Sequence, residues 1–203
     1  MSPQSKSRRA EATEATREAL VEAARELFAE RGYSAVPTEE IVRRARVSRG
    51  ALYHHFTDKR DVFRAVFEQV ELELVTVFGA ALSGGDDLWA DLSACVEAFL
   101  DACARDDTVQ RIVFLEAPSV LGWSAWRELD AQYGLGIVIG ALDALMERGY
   151  LERRPVRPLA HMLLGALNEG ALLVAHADDP AAQRAEVTDT FTYLLERLRV
   201  RSA

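Results

Sequence analysis

Cysteine and proline are scarce in these 203 residues: there are two Cys, six Pro and four scattered His, with no CxxC spacing. That excludes a disulfide scaffold and gives no zinc signature. Cys95 and Cys103 are eight residues apart, so on one straight helix they lie about 12 Å from each other, too far to bridge. Long hydrophobic runs are also missing, none approaching the roughly 18 residues that a membrane span needs. The opening stretch MSPQSKSRRAEATEATREAL has no apolar core of the signal-peptide kind. A soluble, cytoplasmic chain without a membrane partner is expected. No Ser/His/Asp or Cys/His set is marked by spacing, so no catalytic residue, metal or cofactor is expected. GLGIVIG at 134–140 superficially echoes a dinucleotide loop, yet it follows a helical pattern rather than a strand. Its glycines are expected to let helices approach or to leave cavity space.

What is present is a globular composition, 49% apolar and 28% charged, with a net charge of −8. The sign alone argues against a nucleic-acid partner, but the charge is segregated. Residues 1–64 hold 13 Lys/Arg and 10 Asp/Glu, a balance of +3, and the remainder holds 11 and 22, a balance of −11. Because attraction to phosphate fades within a Debye length, a basic head on an acidic body suits a chain that reads DNA with its first third only.

Apolar residues recur at helical spacing almost throughout, and no strand alternation is sustained, so the fold is expected to be all-α, with about nine helices. A first amphipathic helix runs from about Glu11 to Arg31 and stops at Gly32. Two short helices follow, Thr38–Ala45 and Ser48–His55, and then a long one from a Thr57 cap to about Ala81. SerGlyGlyAsp at 83–86 reads as a linker. Body helices are expected at 87–104, 107–116, 124–148, 157–176 and 181–199, with Pro118, Pro155, Pro158 and Pro180 at the breaks. The resulting division is a helix-turn-helix head (1–56), a connecting helix (57–81) and a helical body (82–203).

Two short helices joined by three or four residues have helix-turn-helix geometry, in which the second enters the major groove N-terminus first. Ile41, Val42, Ala45, Val47 and Leu52 supply a small core. Ser48 is a cap that leaves the following amides free for phosphate. Arg49, Gly50 and Ala51 then combine one long donor with a backbone that can approach bases closely. Tyr53 and His54 lie on the exposed side, and Lys59 opens the next helix.

The stretch IVRRARVSRGALYHHFTDKRDVF, preceded by LFAERGYSAVPTEE, resembles the DNA-binding head of the tetracycline-repressor (TetR) family, from about Leu20 to Val70. LEAPSVLGWSAWRELDAQYGLG at 115–136 resembles the body of one branch of that family. The resemblance implies that Thr38, Tyr53 and Lys59 hold phosphates, that Arg49, Gly50, Ala51 and His54 face bases, and that His55 and Phe56 are structural. It implies an operator-binding repressor. Arg46 departs from the pattern, which has Gly there. A left-handed turn at a non-Gly residue costs roughly 1–2 kcal/mol, so either the turn is reshaped or Arg46 gains a phosphate contact that offsets the strain. The first short helix is capped either by Thr38 or with Pro37 as its first residue.

In the body, Phe99, Phe114, Trp123, Trp126 and Tyr133 are candidates to line a small-molecule cavity, and His161 and Asn168 interrupt an apolar helix as polar ligand contacts. The acidic body favours an apolar effector that is neutral or cationic. One recognition helix reads only a few base pairs, so a homodimer on palindromic double-stranded DNA is expected. Its interface is expected on the last two helices, with Leu159, Leu163, Leu167 and Val174 on one and Val187, Phe191, Leu194, Leu195 and Leu198 on the other. Two other classes fit less of the sequence. A helical interaction protein with a degenerate head would lack specific DNA binding, and an enzyme with an incidental head would turn over a small molecule without DNA.

Overall fold

The computed structural model describes residues 3–81 and 87–200, with side chains from residue 11 onward. The elements are α1 (Pro3–Arg31), α2 (Thr38–Arg44), α3 (Arg49–His55), α4 (Lys59–Ala81), α5 (Leu88–Arg105) and α6 (Asp107–Val109). A π-helix (Gln110–Glu116) then runs into α7 (Ala117–Val120), and α8 (Trp123–Glu147), α9 (Val156–Ala175) and α10 (Pro180–Leu198) complete the chain. Counting 107–120 as one continuous run gives the nine helices expected. Among the described residues the only β-pairing is a single bridge, Leu151 to Arg199.

The head is a small core built on α1. Leu20, Ala24, Leu27 and Phe28 recur at helical spacing and are buried against Ile41 of α2, Leu52 of α3, and Val62 and Phe63 of α4. Phe28, Tyr33 and Phe63 meet with ring centroids 5.4–5.6 Å apart, and each such pair adds about 1 kcal/mol to the burial itself. Gly32 ends α1 at φ +78, and its N–H donates to the Phe28 carbonyl at 2.8 Å.

Local chemistry moves several boundaries. Helix α1 begins well before Glu11, because nothing in the polar stretch from Pro3 breaks it. The cap of α4 is Asp58, not Thr57: Asp58 Oδ1 accepts from Asp61 N at 2.8 Å, and Asp61 Oδ2 accepts in return from Thr57 N at 3.0 Å. Neither reading of α2's start holds. Pro37 itself occupies the cap position in an extended conformation, and Thr38 is the first helical residue. Pro118 does not end a helix but sits in the first turn of α7, and the break comes at Gly122, φ +86. The 83–86 linker lies outside the described residues.

The body is a bundle in which α8 and α9 run antiparallel and pack on α5, with α4 and α10 flanking. Contrary to the sequence expectation, α8 and α9 are long and apolar enough by length and composition to cross a membrane. Here they pack against each other and bury Leu142, Leu145, Leu164 and Ala171 in the core.

Candidate functional site

The tip of the head is formed by α2 and α3. Ser48 caps α3, its Oγ accepting from Ala51 N at 3.2 Å. Arg49, Gly50, Tyr53 and His54 are exposed, Ala51 is half-buried, and Leu52 alone of the helix is fully covered. This is a polar reading face on a single apolar anchor. Arg49 lies 3.4 Å from Glu39 of α2 and 5.6 Å from the Tyr53 ring, so its guanidinium is held at the tip rather than folded back into the protein. A Cβ at Gly50 would meet nothing nearer than Ser48 Oγ at 3.8 Å. The fold does not require glycine there, and the space it leaves faces outward. Arg43 and Arg44 pair with Glu40 and Glu26.

Arg46, at φ +56, is the only non-glycine residue with positive φ among those described, so the turn keeps its left-handed form rather than being reshaped. The strain, about 1–2 kcal/mol, exceeds the 0.5–1 kcal/mol that a flexible glycine loses on folding. Arg46→Gly is therefore expected to stabilise the protein by about 1 kcal/mol in chemical denaturation. If affinity for DNA falls at the same time, Arg46 holds a phosphate; if affinity is unchanged, it does not.

Behind the tip, the Tyr33 backbone is gripped from both sides. Its N–H donates to Glu116 Oε2 at 2.6 Å, and its carbonyl accepts from Lys59 Nζ at 2.9 Å. Lys59 also donates to Val36 O at 3.0 Å and stands 4.1 Å from the Tyr33 ring centroid. Burial lowers its pKa below the usual lysine range, and the nearby Glu116 opposes that shift. Expected on a phosphate, Lys59 instead commits two of its three donors to this turn. Glu116 lies at the end of the π-helix, where the Ala117 N–H reaches back to the Ile112 carbonyl and Pro118 supplies no N–H. A Cβ on Gly32 would collide with the Glu116 carboxylate. Arg60 makes a second link to the body, donating to the Leu121 carbonyl.

Within the body, an apolar cavity of about 60 Å³ is enclosed by four helices. Its walls are Phe78 of α4, Leu92, Cys95, Val96 and Phe99 of α5, Gly134, Ile137, Val138 and Ala141 of α8, and Leu164 and Leu167 of α9. Phe99 meets Phe114 of the π-helix edge-on, centroids 6.1 Å apart. The cavity wall is thus two residues of chain from the Glu116 contact to the head. Gly134 permits Leu164 to approach to 3.3 Å of where a Cβ would sit.

Of the expected cavity residues, only Phe99 lines it. Phe114 stands behind, Trp126 is sealed in the core with its N–H unpartnered, and Trp123 is 55% exposed. Tyr133 faces a groove between α1 and α4, and His161 is exposed. Asn168 is buried but turned to Asp130, its Nδ2 donating to Oδ2 at 2.7 Å. Aromatic content marked the right helices and the wrong faces, because large rings serve the core as readily as a cavity. Glu71 of α4 and Asp130, both buried, were missed. Each is an acid at an apolar register position, one helical turn from Leu74 and from Trp126 and Gly134, and that spacing was the available signal.

The dimer stripe was likewise drawn on the inward face. Val174, Phe191 and Leu195 are buried in the protomer's own core, Leu167 lines the cavity, and Leu159, Leu163 and Val187 pack half-buried against it. Leu194 and Leu198 are exposed, as are Met162 and Leu173 of α9.

Comparison with known proteins agrees with this geometry. A family profile described as tetracyclin repressor-like, C-terminal domain, matches residues 89–198, and one described as bacterial regulatory proteins, tetR family, matches residues 20–66. The transposon Tn10 TetC protein of Escherichia coli is 28% identical over 80% of this chain and 81% of its own length. The transcriptional activator FasR of Mycolicibacterium smegmatis is 39% identical over 47% of this chain and 43% of its own. Among solved structures, a TetR-family transcriptional regulator from Pectobacterium atrosepticum superposes with a TM-score of 0.83 at 30% identity, covering 95% of this chain and 98% of that one.

Proposed function

Since the chain belongs to the TetR family of DNA-binding transcriptional regulators, we propose that it is a cytoplasmic repressor that binds a palindromic operator as a homodimer and is released by a small apolar effector. Residues 1–56 are the DNA-reading head, 57–81 the connecting helix and 82–203 the effector and dimer body. Arg49, Gly50, Ala51 and His54 face bases, and Thr38 and Tyr53, with Arg46 and the remaining donor of Lys59, face phosphates. The effector occupies the apolar cavity. The observation that carries the reading is the hydrogen bond from Tyr33 N to Glu116. It joins the turn that orients α2 and α3 to a π-helix whose Phe114 rests on the cavity wall. An effector that shifts Phe99 and Phe114 shifts Glu116, and with it the spacing of the two heads. Coupling of this kind is reciprocal, so operator DNA weakens effector binding by the same factor.

Arg49→Ala tests the DNA half of this reading. It is expected to cost about 1–3 kcal/mol at one base position of each half-site and to relax preference there. Equal weakening on specific and random DNA, measured by fluorescence anisotropy, would assign Arg49 to the phosphate backbone instead.

A further inference from the structure

The polar atoms left unpartnered beside the cavity share one character. Glu71 Oε1 and Asn168 Oδ1 are buried acceptors with no hydrogen-bond partner among the described residues. Asn168 has already given an Nδ2 donor to Asp130. The packing brings these groups to one end of the cavity. On α8 and α9, Gly134 faces Leu164 and, one turn further, Asp130 bonds to Asn168. On α4 and α5, the Cys95 thiol donates to the Phe78 carbonyl, and about two turns further Glu71 faces Cys103 closely enough to raise its pKa. All four helices therefore place the acceptors beyond the same rim, on the side toward the start of α4 and the head.

Unsatisfied buried acceptors cost about 1–3 kcal/mol each, and the group that satisfies them must donate. Building on the effector cavity proposed above, we infer that the effector is an organic cation, an apolar body in the cavity bearing a protonated amine that donates to Glu71 and Asn168. An anion would meet two carboxyls, and a wholly apolar compound would leave both acceptors bare. The charged and titratable groups around Glu71 are Glu68 on its own helix, Cys103 of α5, and Arg127, Asp130 and Tyr133 of α8. Arg127 favours the ionised form of Asp130, which leaves Glu71 as the carboxyl without a cation of its own. Burial, with the Asp130 charge adding to it, pushes the Glu71 carboxyl well above its ordinary range. In the empty cavity at neutral pH it keeps its proton. When an ammonium enters, an N–H···O bond forms to Glu71 and the carboxyl proton passes to solvent.

Benzylamine, benzyl alcohol and benzoate share one ring and differ in the head group, so they make a direct test by isothermal titration calorimetry on the full-length protein. Benzylamine is expected to bind about tenfold tighter than benzyl alcohol, the factor that one charge-assisted hydrogen bond contributes, and benzoate most weakly. Its binding heat should differ between phosphate and Tris buffers because a proton is released. Glu71→Gln should abolish both the preference and the buffer dependence while leaving benzyl alcohol binding unchanged. If that variant does not fold, Asp130→Asn, which neutralises the neighbouring carboxylate, should show the same loss of preference. Equal binding of the alcohol and the amine, as when a water molecule satisfies the acceptors, overturns the head-group inference but leaves the effector cavity standing. Binding of none of the three overturns both.

Discussion

A protein carrying Leu194→Asp together with Leu198→Asp is expected to have the light-scattering mass of one chain and to bind an operator about 10²–10⁴-fold more weakly, the range by which tethering a second binding module raises affinity. Both leucines lie on α10 one turn apart, 48% and 40% exposed in the protomer. Neither supports the protomer's own core, so the charges should leave the fold intact. Leu173 of α9 and Tyr193 of α10 are also exposed. An apolar surface of this size in a globular chain marks an interaction face, and an isologous contact would bury it against its own copy. Phe191→Asp or Leu195→Asp would confuse the experiment, because both side chains are buried within the protomer and a charge there would unfold it. A mass that stays at two chains in the Leu194→Asp, Leu198→Asp protein would move the interface elsewhere.

Glu116→Ala is expected to separate effector binding from operator release. The carboxylate touches no cavity wall residue directly; it holds the Tyr33 amide at the base of the reading head. Its removal deprives a half-buried N–H of a charged acceptor, and the expected loss of stability is about 1–3 kcal/mol. Whichever of the three benzyl compounds binds the wild-type protein should bind the variant equally well. The ratio of operator affinities without and with that compound, typically in the range of about 5–150 for coupled sites, should fall toward one. Glu116→Gln keeps an acceptor without its charge and should lie between. Release that survives Glu116→Ala undiminished would place the coupling elsewhere, for example in the Arg60 bond to Leu121 O.

The sequence revealed the head more fully than the body, for a physical reason. In residues 32–60, local rules dictate the outcome: the Ser48 cap, the turn at Arg46 and the anchors Ile41 and Leu52 act within a few residues of one another, and the helices fall within a residue of their expected bounds. The Tyr33–Glu116 bond spans 83 positions, and no pattern of spacing announces a contact so distant. Lys59 was misjudged for the same reason: a lysine opening a helix beside a reading face looks like a phosphate contact until the Tyr33 and Val36 carbonyls fold over it. In α9 and α10 the periodicity was plain, but both faces are apolar, and which one meets the protomer's core depends on the other helices. Glu71 and Asp130 stood in view as acids within apolar stripes. Their pairing around Asn168 needed α4, α8 and α9 to be brought together.

The central claim is that a two-headed reader recognises a symmetric operator, and selection from a random pool of duplex DNA by the purified protein tests it most directly. The account predicts one enriched sequence made of two inverted half-sites, each losing preference at one position when Arg49→Ala replaces the wild type. Enrichment of a single unrepeated half-site, or of no sequence above the random pool, would contradict it.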